Sequence, residues 1–393
     1  MIIGLLLYGC VEPIEIDTDV SATATIEEIL VVEATITNEL KQHVVSVSRG
    51  NSFSRDEQIV VENATVRVID NAGNRFDFFQ TEPGHYVSET MFQAEAGTEY
   101  QLQIQLGGKT YRSKTVAMPS AGAINRVFAE RFTNNAGVDG VGIFVDATVA
   151  PQEPPFLRYT YEETYKIIAP LWSPFDMVVL DPRPPFAFGL VPREQEERVC
   201  FRSQLSNAVI QNEGIDVTGN SIEKVLVRFI PTGDYIISHR YSILVHQLVQ
   251  SPDAFAFYRT LKELSSSSSV FTDVQPGFIG GNIINVDDPD EKVIGFFEVA
   301  NQSEQRLFFD YEDFYEDEND RPYVINCGFV SAPATINPGG TSPLKDIIEG
   351  GEFVYVRDTN GTVDGGGPYF VARRACGDCT VLGSNIVPDF WEE

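Results

Sequence analysis

The chain has 393 residues, of which 43% are hydrophobic, and its 57 acidic residues against 28 basic ones give a formal charge of −29. This length and apolar content predict a folded protein of two or three domains rather than a disordered chain. The negative charge repels phosphate backbones and therefore argues against nucleic-acid binding. Beyond residue 10 the sequence has no apolar run long enough for a membrane-spanning helix.

The start of the chain combines a short apolar run, a small residue, a cysteine and several acids. Residues 1–9 resemble the end of a signal-peptide apolar region, and Leu7 and Gly9 precede Cys10 as in a bacterial lipobox, with an atypical tyrosine between them. We therefore expect a signal-peptide remnant at 1–9 and a covalent lipid on Cys10. Residues 10–28 are polar, acidic and contain proline, which predicts a lipidated tether. A core cysteine in a first strand is the alternative.

Residues 29–117 read as one β-rich unit. The stretch "YQLQIQL" places Tyr100, Leu102 and Ile104 on one face of a strand and glutamines on the other. Several similar strands, with turn residues between them, predict an immunoglobulin-like β-sandwich. The segment "AMPSAG" that follows has the composition of a linker.

The sequence of residues 123–393 predicts a second, larger β-rich domain with one clear α-helix. The helix is indicated by "SPDAFAFYRTLKEL", in which Ser251 is an N-cap, Pro252 is the first helical residue and Asp253 lies in the first turn. Residues 169–196 are rich in proline and aromatics, which predicts a long excursion or loop. The overall fold class is mainly β.

Four cysteines lie far beyond the proposed lipid site. An even number in an exported chain predicts two disulfides, and the sequence does not choose among the three possible pairings. A metal knuckle or a redox pair at "CGDC" is less favoured, because a second such motif and a spaced histidine pair are both missing. The predicted disulfide cysteines are Cys200, Cys327, Cys376 and Cys379.

Stretches that carry catalytic chemistry are few. The sequence has no Gly-x-Ser-x-Gly or His-Glu-x-x-His motif and only four histidines, so we expect a protein that is not an enzyme. Residues 310–320 contain seven acids but lack the glycine and closing glutamate of a calcium loop. A solvated acidic segment is favoured there, and a loose Ca²⁺ site is the alternative. No resident metal or cofactor is expected besides the lipid on Cys10.

Several stretches together resemble a known family. They include "YQLQIQLGGKTYRSKTVAMP", "FTDVQPGFIGGNIINVDDPDEKVIGFFEVA" and the ending "CGDCTVLGSNIVPDFWEE". The chain is similar along nearly its whole length to a domain-of-unknown-function family of Bacteroidota surface lipoproteins, which are usually encoded beside TonB-dependent transporters. The resemblance implies an outer-membrane location facing the cell exterior and a transporter-type β-barrel as partner. It implies no catalytic residues.

We therefore predict a non-enzymatic accessory subunit of a TonB-dependent transporter complex, which binds cargo, caps the barrel or scaffolds its assembly. A structural subunit of an outer-membrane protein assembly machine is one alternative, and a surface polymer hydrolase or adhesin is another. Aromatic residues in loops are typical of protein interfaces, and the excursion and the "PGFIGGN" turn supply the candidate contacts. These are Trp172, Phe175, Phe186, Phe188, Pro276, Gly277 and Asn282.

Overall fold

The computed structural model of the chain describes its fold from residue 29 onward with short gaps. The described residues are 29–50, 59–150, 156–212, 217–218, 220–266, 280–316, 321–336, 340–361 and 366–393. Cys10, the tether and the residues Pro276 and Gly277 lie outside them.

The first part of the chain is a series of strands that alternate buried and exposed side chains. In the clearest of them, Tyr100, Leu102 and Ile104 are buried, as their spacing predicts. The strands are β1 (Leu30–Thr37), β2 (Val44–Arg49), β3 (Ile59–Val60), β4 (Thr65–Asp70), β5 (Arg75–Glu82), β6 (His85–Ser88), β7 (Glu99–Leu106), β8 (Lys109–Ser113) and β9 (Val116–Ala117).

The rest of the chain adds longer strands and the helices. The strands are β10 (Ala123–Thr133), β11 (Asp139–Thr148), β12 (Leu157–Ile168), β13 (Phe175–Asp181), β14 (Ala187–Pro192), β15 (Val199–Leu205), β16 (Ile210–Gln211), β17 (Val217–Thr218), β18 (Ser221–Pro231), β19 (Tyr241–Val249), β20 (Ile283–Asn285), β21 (Val293–Phe309), β22 (Phe329–Ser331), β23 (Phe353–Asp358) and β24 (Tyr369–Arg373). The helices are α1 (Pro252–Ser266), α2 (Pro343–Gly350) and α3 (Arg374–Gly377), and short 3₁₀ turns lie at Tyr235–Ile237, Tyr311–Asp313 and Cys379–Val381.

One large sheet connects both halves of the chain. Its strands follow the order β15–β12–β19–β21–β1–β2–β6–β5–β4–β7–β8–β20. A second sheet, β10–β11–β18–β17, packs on the β12–β19 part of the large sheet, and smaller sheets are formed by β13–β14 and by β22–β24–β23. The mainly β fold class is therefore confirmed.

The long strand β21 belongs to two hydrophobic cores. Residues 293–300 pair in parallel with β1, and residues 301–309 pair antiparallel with β19. Phe297 and Val299 are fully buried in the core of β1–β8, whereas Phe309 lies in the core between β12–β19 and β10–β11–β18. A segment far beyond residue 123 thus completes the core of the first unit, so strands β1–β9 do not account for that core alone. The immunoglobulin-like arrangement of residues 29–117 stays a prediction.

The Asn282 carboxamide connects the end of the large sheet at β20 to strand β21. The Asn282 side chain accepts a hydrogen bond from the Phe297 backbone N–H and donates one to the Phe297 carbonyl, both at 2.8 Å. Asn282 lies directly before β20, at the far end of the sheet from β21, so its amide group takes the place of a neighbouring strand. A Cβ atom on Gly281 would lie 1.4 Å from the Gly295 carbonyl oxygen, so only glycine permits this approach.

Both longer helices begin with the same Ser-Pro signature. The Ser251 hydroxyl accepts from the Ala254 N–H and starts α1 at Pro252, which confirms the predicted helix. Ser342 caps α2 in the same way through the Lys345 N–H, and Gly351 ends it at a φ of 67°. In the described residues, no helix has the length and apolarity needed to cross a membrane.

Two disulfides fix the last part of the chain. Cys200 of β15 is joined to Cys379, and Cys327 is joined to Cys376 of α3. The predicted cysteines are therefore disulfide-bonded, and the structure selects one of the three pairings that the sequence leaves open. Because the first bridge spans 179 residues of sequence, it ties the C-terminal segment to the edge strand of the large sheet.

Replacing Asn282 by leucine should lower the free energy of unfolding by about 2–4 kcal/mol. Leucine has a similar size but leaves the Phe297 N–H and carbonyl buried without partners, and each such loss costs about 1–3 kcal/mol. Urea denaturation measures the change. The matched control is Ile284→Thr on the adjacent strand, where the side chain is 55% exposed and the expected change is within about 0.5 kcal/mol. Equal stabilities of the two variants would contradict the closing role of Asn282.

Candidate functional site

A groove crosses the large sheet where the two cores meet. It encloses about 620 Å³ and lies over the face of β12, β19, β21, β1 and β2. We call it the junction groove and define its floor by Glu33, Thr35, Arg158, Thr160, His246 and Gln302. It is flanked by Tyr258 of α1, by the loop from Lys41 to His43, and by Leu205 and Ser206 at the end of β15.

The register of the strands explains why these distant residues share one face. Thr160 of β12 lies opposite His246 of β19, and Leu248 of β19 lies opposite Gln302 of β21. Directly opposed residues project to the same side of a sheet. The intervening side chains, such as Tyr159 and Val245, point to the core on the other side. Alternation in each strand thus produces a polar face above an apolar one.

A buried ion pair supports the groove from below. The Arg158 Nη2 atom lies 2.5 Å from Glu298 Oε2, and the exposed fractions of the two side chains are 12% and 1%. Glu298 also accepts hydrogen bonds from Gln250 and from the Thr35 hydroxyl. Breaking such a pair by removing one partner is costly, typically about 3–5 kcal/mol. The pair therefore holds β12, β21 and β1 in a fixed arrangement.

Tyr258 connects α1 to this ion pair. The Arg158 guanidinium lies 4.1 Å from the centre of the Tyr258 ring, in a cation–π contact. Burial opposes the charge on Arg158, but Glu298, Tyr258 and Glu33 together outweigh it, so the pKa of Arg158 is raised. Burial, with a smaller contribution from Glu298, raises the pKa of Tyr258 to about 12. The phenol therefore stays protonated and can donate a hydrogen bond.

Two histidines contribute neutral hydrogen-bonding groups. Burial lowers the pKa of His43 to about 4, and its Nε2 atom lies 2.9 Å from the Phe92 carbonyl oxygen. Burial also lowers the pKa of His246, although Glu304 opposes the shift. The His246 Nδ1 atom lies 2.9 Å from a Glu304 carboxylate oxygen and 3.1 Å from the Gln302 amide nitrogen. At neutral pH both imidazoles are uncharged, so they add donors and acceptors to the groove without adding charge.

A second buried carboxylate lies on the opposite side of the sheet. Glu163 accepts from the Arg228 guanidinium at 3.0 and 3.2 Å, from the Tyr241 hydroxyl at 2.5 Å, and from Gln204. Burial raises the pKa of Tyr241 well above its usual value, which keeps this hydroxyl a donor. Glu163 therefore joins the two packed sheets, and its contacts are those of a structural group.

The proline-rich excursion forms the β13–β14 hairpin. Phe188 packs inward on the small C-terminal core around Leu344, and Trp172 packs against the core of the second unit. Phe186 is half-buried, and Phe175 is 40% exposed. Two of the four predicted aromatic contact residues, Trp172 and Phe188, therefore pack within the protein.

The other predicted residues are dispersed in the fold. Asn282 is buried and hydrogen-bonded to Phe297 of the large sheet, whereas the β13–β14 hairpin is a separate sheet. Pro276 and Gly277 lie outside the described residues, as does Cys10. In the described part of the acidic segment, Asp310 pairs with Arg240 and Glu312 pairs with Arg321.

The groove residues were not predicted from the sequence. Arg158 and Glu298 come from strands 140 positions apart, and neither belongs to a local motif. The sequence pattern that bears on the groove is the polar alternation in "LRYTYEETYKI". It predicts a strand with a polar face, but it does not predict which strands pair with it.

Comparisons with known proteins give a family but no activity. A family described as "Domain of unknown function (DUF4249)" matches residues 11–306. No curated protein matches the chain. A crystal structure of a DUF4785 family protein from Legionella pneumophila is 10% identical, covers 56% of this chain and 52% of its own, and has a TM-score of 0.16. The chain thus spans about half the length of that protein, and so low a TM-score supports no conclusion about fold or function.

Replacing His43 by glutamine should reduce the loss of stability on acidification. Because folding lowers the pKa of His43 from 6.5 to about 4, its contribution is complete above pH 6.5 and is lost as the pH falls towards 4. The full effect is about 3 kcal/mol. Urea denaturation of both proteins between pH 7 and pH 4 measures the difference in slope. Gln105→Ala, at an exposed glutamine of β7 that carries no ionisable group, is the control and should leave the slope unchanged. An unchanged slope for His43→Gln would refute this assignment.

Proposed function

Since the chain belongs to the DUF4249 family of unknown function, we propose its role from its own residues together with its resemblance to surface lipoproteins. It is an outer-membrane lipoprotein that is anchored through Cys10 and faces the cell exterior. It acts as a non-enzymatic accessory subunit of a TonB-dependent transporter-type β-barrel complex. This role is the one that the resemblance to Bacteroidota surface lipoproteins implies.

The distribution of the cysteines carries the proposal. Four of the five are joined in the pairs Cys200–Cys379 and Cys327–Cys376, so Cys10 is the one thiol left for another modification. Paired cysteines are typical of exported proteins, because the cytosol keeps thiols reduced. A cysteine after an apolar run and before an acidic tether is the arrangement expected for lipid attachment.

The contacts of the buried carboxylates support a binding role rather than catalysis. Glu163 and Glu298 each pair with a guanidinium and accept further hydrogen bonds from neutral side chains. A general acid or base needs a free position from which to exchange a proton with substrate. These two carboxylates instead use their oxygens within the protein.

The outer face of the β13–β14 hairpin is the surface that we assign to the barrel partner. It presents Val178, Leu180 and Val191, and the side chains of Leu180 and Val191 are 66% and 41% exposed. Adjacent exposed apolar residues on a protein with a charge of −29 favour a protein contact, since interface centres are depleted of charge.

The protein purified from its native membrane in mild detergent should carry a diacylglyceryl group on Cys10 and should retain a large β-barrel protein. The measurements are mass spectrometry of the N-terminal peptide and identification of co-purified proteins. Cys10→Ser should move the protein to the soluble fraction, because the lipid provides the membrane affinity.

A pair of surface variants separates anchoring from partner binding. Leu180→Lys should keep the lipid but reduce recovery of the barrel, whereas Leu226→Lys, at a 42% exposed leucine of β18, should not. A bare thiol at Cys10 would refute the anchor. Recovery of the lipidated protein alone would refute the accessory role.

A further inference from the structure

We propose that the junction groove binds a neutral, polyhydroxylated ligand of oligosaccharide type. If the protein is a transporter accessory subunit as proposed above, this ligand is its cargo. Only the description of the ligand as cargo rests on that proposed function. The binding itself follows from the charge, the strand pairing and the side chains of the groove.

The positive charges along the groove are balanced within the protein. The Arg158 guanidinium is paired with Glu298, and the Lys41 ammonium lies 2.5 Å from a Glu39 carboxylate oxygen. The two histidines are neutral at physiological pH because burial lowers the pKa of each. Among the described residues of the groove, an anionic ligand would find no uncompensated cation, and it would be repelled by the Glu33 carboxylate of the floor and by the net charge of −29. The groove therefore disfavours an anionic ligand.

The strand pairing disfavours an extended peptide. The strands of the floor lie inside the sheet, since β1 lies between β2 and β21, and β19 lies between β12 and β21. Peptides that bind sheets do so by adding a strand to an open edge. The floor offers no such edge, because its backbone groups are used in these ladders. A ligand must therefore be recognised by side chains.

The side chains suit a ligand that both donates and accepts hydrogen bonds. Thr35, Thr160 and Ser46 supply hydroxyls, Gln302 supplies an amide and His246 an imidazole. The Thr35 hydroxyl donates to Glu298, and the Gln302 amide nitrogen lies 3.1 Å from His246 Nδ1. Hydroxyl, amide and imidazole groups have both donor and acceptor positions, as sugar hydroxyls also do, so the positions not used in these contacts can serve a ligand. Because the groups stand on neighbouring strands about 4.8 Å apart, a ligand with hydroxyls along its length can bond to several at once. The volume of about 620 Å³ lies within the range of small-molecule sites.

The side chains of the floor are held by contacts within the protein. The Arg158–Glu298 pair, the Gln250 amide and the Tyr258 ring fix the side chains below and beside the groove. Gln302 is also held, because its backbone N–H donates to Asn38 and the Asn38 amide donates to its carbonyl. Preorganised groups lose little entropy on binding, which favours affinity from hydrogen bonds.

Titration calorimetry on the purified full-length mature protein tests the proposal. The probes are the neutral trisaccharides maltotriose, cellotriose and triacetylchitotriose, with anionic trigalacturonic acid and trialanine as comparators. At least one neutral trisaccharide should bind with a Kd of about 1 mM or tighter, and both comparators should bind at least about tenfold more weakly. Gln302→Ala should weaken the sugar about tenfold, which corresponds to one or two hydrogen bonds. Gln105→Ala, at an exposed glutamine of β7, is the matched control and should leave binding unchanged.

A blocking variant and a second measurement locate the site. Thr160→Phe should abolish binding by filling the floor, and near-ultraviolet circular dichroism checks that it folds. Hydrogen exchange on the unmodified protein should slow upon sugar addition in residues 38–43 and at Leu205 and Ser206. The proposal is overturned if no neutral trisaccharide binds, if trigalacturonic acid or trialanine binds as tightly, or if Gln302→Ala has no effect. These assays need neither lipid nor barrel, so their failure is distinct from failure of the proposed membrane role.

Discussion

The parallel pairing of β1 with β21 is the contact on which the rest of the structure depends. It joins residues separated by 263 positions, and β21 continues from this pairing directly into the ladder with β19. A parallel pair needs a long connection between its strands, and here that connection contains β2 to β20 and α1. Two hydrophobic cores are thereby built on opposite halves of one strand, and Asn282 adds the far edge of the sheet to the same strand.

The junction groove is a consequence of this arrangement. Because β21 changes partner near Ala300, side chains from the two halves of the chain meet above it. The Arg158–Glu298 pair crosses this point and would be costly to bury without its partner. The binding surface and its structural support therefore lie in one place: the Arg158–Glu298 pair holds the strands together, and neutral polar groups lie beside it on the groove floor.

Local features of the sequence predict local structure well. The alternation in "YQLQIQL" gives β7, and the Ser-Pro-Asp start gives α1. The same Ser-Pro signal precedes α2, but the apolar pattern that follows it is too short to indicate a helix. By contrast, the β1–β21 pairing, the Asn282 closure and the groove depend on contacts between distant residues, which leave no periodic pattern in the chain. The sequence analysis predicts Asn282 as a contact with a partner or ligand, whereas its described side-chain hydrogen bonds are with Phe297 of the same chain.

The dependence of the first core on β21 can be tested by expressing residues 29–117 alone and following circular dichroism during urea denaturation. Without residues 280–300 the fragment lacks Ile283, Phe297 and Val299 of its core and leaves β1 unpaired on one side. We expect the fragment to show no cooperative unfolding transition, whereas the full chain unfolds cooperatively. A fragment that folds by itself, with a sharp transition and a native β-sheet spectrum, would contradict this dependence.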